Sequence, residues 1–179
     1  MEDEILIEEA KRGDKKAFEA LVQKYYNELY HTALGIVRSK WDAMDICQDT
    51  FLKAFSSLNK LRDSRKFKAW IYRILVNRCN DCFRYNQKVI VSEDIERKGF
   101  LKNENKNENE ETMDLLKVLS SLKKKVRTIL VLRYFQDLSI KEIASIVDCP
   151  EGTVKSRISS GLKELRGLMN AENDKEVLE

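Results

Sequence analysis

Between Lys60 and Lys88 the sequence carries the basic residues Lys60, Arg62, Arg65, Lys66, Lys68, Arg73, Arg78, Arg84 and Lys88, opposed only by Asp63 and Asp81. Set among them are Phe67, Trp70, Tyr72, Phe83 and Tyr85. Cations beside rings suit an unpaired polynucleotide strand, because Lys and Arg neutralise phosphates and each base stacks on an aromatic face for roughly 1–3 kcal/mol. Core packing accounts equally well for Phe67, Trp70 and Phe83, which fall on an apolar helical stripe, whereas Tyr72 and Tyr85 fall off it. A second concentration is Gly152-Thr153-Val154-Lys155-Ser156-Arg157. It puts polar and basic groups at the head of a helix, where the base edges and phosphates of a duplex are reached. Other chemistry is poorly served. Cys79-Asn-Asp-Cys82 lacks a second pair, and the one histidine, His31, belongs to another helix, so four metal ligands are not assembled. The pair reads as small buried hydrophobes. No catalytic set of carboxylates and no glycine-rich phosphate loop is present, which argues against an enzyme, a cofactor and a small-molecule substrate.

The elements that position these residues are helical. The chain has 179 residues with one proline and six glycines, too few turn formers for an all-β fold, and 35% of its residues are charged, as long helices with solvated faces require. An all-α protein is expected. A helix over about residues 4–12 stops at Gly13; Asp14 caps a long amphipathic helix reaching Val37. Asp42 is expected to cap the next, with Ala43, Ile46, Cys47, Thr50, Phe51 and Phe55 on the buried face and Asp45, Gln48, Asp49 and Lys53 on the polar one. A fourth begins at Ser64. Four more are expected over about 113–119, 123–136, 140–147 and 151–169. Ser139-Ile-Lys-Glu142 is a capping box, and Asp148-Cys149-Pro150 separates the last two helices, as in a helix-turn-helix.

Charge divides the chain. Residues 1–87 hold 16 basic and 13 acidic groups, residues 88–114 hold 5 and 8, residues 115–170 hold 11 and 5, and the tail from Ala171 holds 1 and 4. The overall net charge of +3 excludes a uniformly basic, histone-like protein. The run from Lys102 to Glu111 contains no apolar residue and reads as a mobile acidic spacer. The expected organisation is therefore a four-helix domain over 1–87, a flexible acidic linker over 88–112, a helix-turn-helix domain over 113–170 and an acidic tail over 171–179. No apolar run approaches the roughly 20 residues of a membrane span, and the start is acidic where a signal peptide is basic. With four scattered cysteines, these features predict a cytoplasmic protein with free thiols.

Ala17-Phe-Glu-Ala-Leu21, the run from Asp42 to Phe55, and Phe67-Lys-Ala-Trp-Ile-Tyr-Arg-Ile74 resemble domain 2 of the extracytoplasmic-function (group 4) sigma factors of bacterial RNA polymerase. Leu130 to Phe135, Ser139 to Ala144 and Cys149 to Arg157 resemble domain 4 of that family. The resemblance implies that Asp45, Gln48, Asp49 and Lys53 dock on the clamp helices of the largest subunit of core polymerase, with the β flap as a further contact. It implies that Arg65, Lys68, Trp70, Tyr72, Arg73, Asn77 and Arg84 serve minus-ten promoter DNA, Asn77 lining a pocket for a flipped base. Thr153, Lys155, Ser156, Arg157 and Ser160 would serve the minus-thirty-five element; Ser159 and Ser160 depart from the more basic pattern of some members. It further implies a chain that is monomeric when bound and an anti-sigma factor that holds it at the membrane. A linker of about 25 residues extends to roughly 80 Å at ~3.3 Å each, enough for the ~70 Å of two DNA turns. Two other readings fit the residues: a helix-turn-helix regulator binding duplex DNA alone, and a polymerase adaptor that never touches DNA.

Overall fold

The computed structural model describes residues 2–92 and 118–176, and among these every regular element is a helix. The helices are α1 (Glu2–Lys11), α2 (Lys15–Val37), α3 (Lys40–Ser57), α4 (Phe67–Ser92), α5 (Lys124–Tyr134), α6 (Ile140–Val147) and α7 (Glu151–Glu176). Single 3-10 turns at Leu58–Lys60 and Ser64–Lys66 lead into α4. The expected all-α class is borne out. The acidic spacer lies outside the described residues, as does most of the helix expected over 113–119, of which 118 and 119 are seen in a helical stretch that runs on to 121.

Local chemistry fixes the helix ends. Gly13 takes a φ of 97°, a region open to glycine at little cost, and lets α1 turn back onto α2. Asp14 Oδ1 then accepts from the Lys16 and Ala17 amides at 2.8 and 3.2 Å. The α3 cap is Ser39 rather than Asp42, because Ser39 Oγ accepts from the Asp42 amide at 3.2 Å and leaves Asp42 inside the first turn. Asp3 on α1 accepts from Tyr25 Oη at 2.6 Å and pairs with Lys24. Burial works against the Asp3 carboxylate, yet the bonds from Lys24 and Tyr25 together hold its pKa below the ordinary 3.8. The stabilisation from Asp3 is therefore complete above pH 3.8 and disappears as the pH falls through its lower native value. Amide protection in α1, taken relative to the intrinsic exchange rate at each pH, should fall below pH 3.8 before protection in α5 does, and an equal fall in both would refute this.

The first four helices enclose Leu21, Leu29, Ala43, Cys47, Ile71 and Leu75, all almost wholly inaccessible. Around them Tyr25 meets Phe67 edge-on at 5.3 Å, and Phe18 meets Phe55 at 5.0 Å. Phe55 is not on the buried face, as expected from sequence, but at its rim and 53% exposed. A Cβ at Gly161 of α7 would lie 2.5 Å from Val126 Cγ1 and 2.8 Å from Leu130 Cδ1, so only glycine lets α7 pass α5 this closely.

The two halves share one continuous core. Every residue from Thr32 to Val37 is buried, although a helix with a single covered face would expose some of them. The second cover is α5: Gly35 of α2 faces Val131, and a Cβ there would come within 3.2 Å of Val131 Cγ2. Arg127 crosses the joint, its Nε donating to the Ile36 carbonyl at 2.9 Å while Nη1 donates to the Leu122 carbonyl at 3.3 Å. Nearby, Lys124 Nζ stands 3.9 Å from the centre of the Phe83 ring. A second joint is formed where α6 packs on α4.

Candidate nucleic-acid interface

The residues expected on α4 divide between two faces. Trp70, Arg73, Asn77 and Arg84 recur at helical spacing and form an outward stripe, with Arg73, Asn77 and Arg84 exposed and Trp70 half-buried on Phe67 at 5.9 Å. Arg84 pairs with Asp81 at 2.7 Å, and Arg78 lies 3.4 Å from the same carboxylate. Both contacts are at the surface, where such pairs are worth little and are readily exchanged for a phosphate. Arg65 precedes the helix, exposed and held by Asp63 through Nε at 3.0 Å and Nη2 at 3.2 Å. That pair raises the Arg65 pKa and lowers that of Asp63, chiefly through the side-chain hydrogen bond.

Lys68 and Tyr72 face inward. Lys68 Nζ donates to the Gln136 carbonyl at 3.1 Å. Tyr72 does not lie off the apolar stripe, as its sequence position suggested: it is wholly buried, and its hydroxyl donates to Gln136 Oε1 at 2.5 Å. Burial first, then the nearby Glu28 carboxylate, pushes its phenol well above the ordinary tyrosine range. The phenol therefore stays a neutral donor. Exposed Tyr85 is the ring left available further along α4.

The C-terminal site is built by α6, a turn and α7. The Ser139–Glu142 capping box is formed in both directions, Glu142 Oε2 accepting from the Ser139 amide at 2.8 Å and Ser139 Oγ from the Glu142 amide at 3.3 Å. Asp148 takes a left-handed φ of 52°, ending α6. The Pro150 carbonyl then accepts from the Thr153 and Val154 amides at 2.9 and 3.1 Å, starting α7. Val154 is fully buried and anchors the new helix. Its neighbours Lys155 and Ser156 point to solvent, as does Ser160, while Thr153 and Arg157 are half-buried. Arg157 Nη1 lies 3.8 Å from Cys149 Sγ, so its stem is held against the turn. Ser156 and Ser160 each donate to a carbonyl one turn back, Thr153 and Arg157 respectively.

On α3 the structure brings Asp45, Gln48, Asp49 and Lys53 together as exposed residues of the outer face. Sequence reasoning missed their neighbours. Trp41 is 77% and Leu52 68% exposed, with Met44 and Phe55 also open to solvent. Four large apolar side chains on the outer face of one helix make a patch of the kind that marks a protein contact. The available signal was that Trp41, Met44 and Leu52 lie outside the buried stripe of Ala43, Ile46, Cys47 and Thr50.

Three of the four cysteines, Cys47, Cys79 and Cys82, offer no nucleophile. Burial pushes the Cys47 thiol up to about 12, and it raises Cys79 further; burial and then the Asp42 carboxylate raise Cys82 to about 11. Thiols this weak stay protonated near neutrality. Among the described residues no three His, Cys, Asp or Glu side chains group as a metal site, and no helix is long and apolar enough to cross a membrane.

Residues 21–89 match the Sigma-70 region 2 family, and residues 112–165 match Sigma-70, region 4. The chain is 34% identical over 169 residues to the ECF RNA polymerase sigma-E factor of Escherichia coli strain K12, covering 87% of this chain and 88% of the relative. It is 32% identical over 170 residues to the RNA polymerase sigma-H factor of Pseudomonas aeruginosa, covering 88% of each. Among solved structures it is similar to CnrH in complex with the cytosolic domain of CnrY, with a TM-score of 0.74, 26% identity, and coverage of 96% of this chain and 99% of that one. The fold is also shared with the sigma factor RpoE in complex with the anti-sigma factor NepR from Bartonella quintana, at a TM-score of 0.73 and 23% identity over 87% of this chain and 98% of the other.

Proposed function

The chain belongs to the extracytoplasmic-function branch of the sigma-70 family, transcription initiation factors rather than enzymes, and from that membership we propose that it carries core RNA polymerase to promoters through three separate surfaces. The outer face of α3 binds the clamp helices of the largest subunit, with Asp45, Gln48, Asp49 and Lys53 as the polar rim around Trp41, Leu52 and Phe55. The α4 stripe of Trp70, Arg73, Asn77 and Arg84, with Arg65 beside it, holds the opened minus-ten strand. The head of α7 reads the minus-thirty-five duplex through Lys155, Ser156 and Arg157, with Thr153 and Ser160 at its margin. Exposed Tyr134 and Phe135 give the C-terminal half its own apolar contact for the β flap.

The observation that carries this reading is that a cationic stripe with an aromatic platform and a polar helix head both stay open to solvent on one chain. One suits an unpaired strand and the other a groove. The fold shared over 87% of this chain with the sigma factor RpoE, solved in complex with the anti-sigma factor NepR, supports an anti-sigma factor as the regulator. We place the protein in the cytoplasm, held at the membrane when that regulator is a membrane protein, and monomeric on polymerase.

Run-off transcription with core enzyme on a promoter library tests the reading. Core-dependent transcripts from a defined subset are expected, and specific footprints without core would instead indicate a free-standing regulator. Lys155→Ala should lower occupancy of the selected promoter about fivefold or more, in line with the ~1–3 kcal/mol of a typical base contact, without changing the fold. Unchanged occupancy of every selected promoter would remove α7 from DNA reading.

A further inference from the structure

The first turns of α7 carry a pattern of hydrogen-bond direction that bears on which bases they meet. Ser156 Oγ stands 3.0 Å from the Thr153 carbonyl, and Ser160 Oγ stands 3.1 Å from the Arg157 carbonyl. A carbonyl has no hydrogen to give, so in both pairs the serine is the donor and its one proton is directed back into the helix. What each hydroxyl turns outward is the lone pairs of its oxygen. At 3.6 residues per turn, Ser156 and Ser160 lie about 40° apart around the helix and about 6 Å apart along it. Both are exposed, as are Gly152 and Ser159 on the same side, and a Cβ added at Gly152 would meet nothing within 4 Å. Val154, on the opposite side, is the residue held in the core. Short neighbours matter here, because a serine oxygen stands one bond beyond Cβ and a longer side chain beside it would screen it.

We propose that Ser156 and Ser160 determine sequence specificity as hydrogen-bond acceptors only, so that the duplex element read by α7 places an amino base, adenine or cytosine, against each of them. This rests on the promoter reading above and gives its duplex element a chemical content. In the major groove the donors are the N6 amino group of adenine and the N4 amino group of cytosine, while guanine and thymine present keto oxygens at the corresponding place. An acceptor oxygen bonds to the first two bases and meets oxygen against oxygen in the other two. To donate to a keto oxygen instead, either serine would first give up its bond to the helix carbonyl, worth a factor of about five in an equilibrium. Lys155 and Arg157 work in the other direction, since an ammonium and a guanidinium only donate; they suit guanine O6 and N7 and the phosphates. Donors and acceptors interleaved on one helix head thus call for amino bases at two places and leave keto bases to the flanking cations. With base pairs about 3.4 Å apart, the roughly 6 Å between the serines confines their two positions to one window of three base pairs.

The test uses the full chain with core polymerase and a promoter selected from the library, with all four base pairs placed in turn at each position of its upstream duplex element and occupancy as the readout. At two positions of one three-base-pair window, wild type is expected to sort the four base pairs about fivefold by which strand carries the amino group. Ser156→Ala should flatten the preference at one position and Ser160→Ala at the other, leaving the remaining positions as they were; alanine at exposed helical sites keeps the fold. Replacing the preferred adenine or cytosine by purine or 2-pyrimidinone, which lack the amino group, should lower wild-type occupancy about fivefold and leave the matching alanine variant unaffected. Ser160→Arg, which exchanges an acceptor for a donor fork, should turn the preference at its position to guanine on the same strand. If removal of the amino groups costs wild type nothing, the hydroxyls do not accept from bases. If both alanine variants keep every positional preference, the serines do not read sequence. Should wild type with core occupy no promoter, the promoter reading fails and this assignment with it; should Lys155→Ala lower occupancy while both serine variants behave as wild type, only this assignment fails.

Discussion

Replacing Leu52 by aspartate is expected to weaken the binding of core RNA polymerase by at least about thirtyfold and to leave the free protein folded. Leu52 is 68% exposed, so it contributes little to the core of the chain, and substitutions at such positions stay within about 0.5 kcal/mol. At a protein contact the same side chain would sit in the water-excluded centre, flanked by Trp41 and Phe55 and rimmed by Asp45, Gln48, Asp49 and Lys53. Truncating a central anchor typically costs about 2 kcal/mol or more, which is the thirtyfold loss; a buried unpaired carboxylate adds to it. Lys53→Ala, at the rim, should change affinity by only a few fold. Titration of labelled core with the variants, with circular dichroism as the control for folding, separates these outcomes. If Leu52→Asp binds core as tightly as wild type, the polymerase surface lies elsewhere.

The largest stability effect should come from Arg127→Met, at about 2–4 kcal/mol. Arg127 is 4% exposed and binds two backbone carbonyls. The Ile36 carbonyl is among the last four of α2, which have no partner within the helix, and a cation there also meets the negative end of the helix dipole. Burial itself opposes the charge, and with Arg38 nearby it depresses the guanidinium to about 10, which still leaves it protonated near neutrality. Methionine keeps much of the apolar stem but leaves two buried carbonyls unsatisfied, at roughly 1–3 kcal/mol each, and relieves the desolvation of the charge in partial compensation. A lowered denaturant midpoint with the slope preserved would report this loss. A shift smaller than about 0.5 kcal/mol would mean that water replaces the guanidinium and that the joint does not depend on it.

Features that depend on contacts within one turn were legible in the sequence. Gly13, Asp14 and the Ser139–Glu142 box end and begin helices through bonds to residues two or three positions away, so residue type at a fixed offset suffices. The α3 cap shows the limit: Ser39 and Asp42 are both competent, and only the path of the preceding turn selects Ser39. Tyr72, Arg127 and Gln136 were illegible for a different reason. Each is polar, and each is buried only because a segment at least 64 residues away covers it, as with the Tyr72–Gln136 bond. Reading the linker as a tether between independent bodies made such contacts invisible. The residues proposed to face DNA fared unevenly on the same ground. Arg73, Asn77, Arg84, Lys155 and Ser156 are outward because local helical phase places them there, while Lys68 and Tyr72 are claimed by the opposite half.

The two indoles of the chain occupy contrasting environments, Trp41 standing 77% in solvent on α3 and Trp70 resting on Phe67 at the start of α4. Incorporating 5-fluorotryptophan would therefore give two fluorine resonances with different solvent-isotope shifts, one on the proposed polymerase surface and the other on the proposed strand-binding stripe. The order in which those two surfaces are engaged during initiation becomes a spectroscopic measurement on the native sequence, with no dye or added cysteine to perturb it.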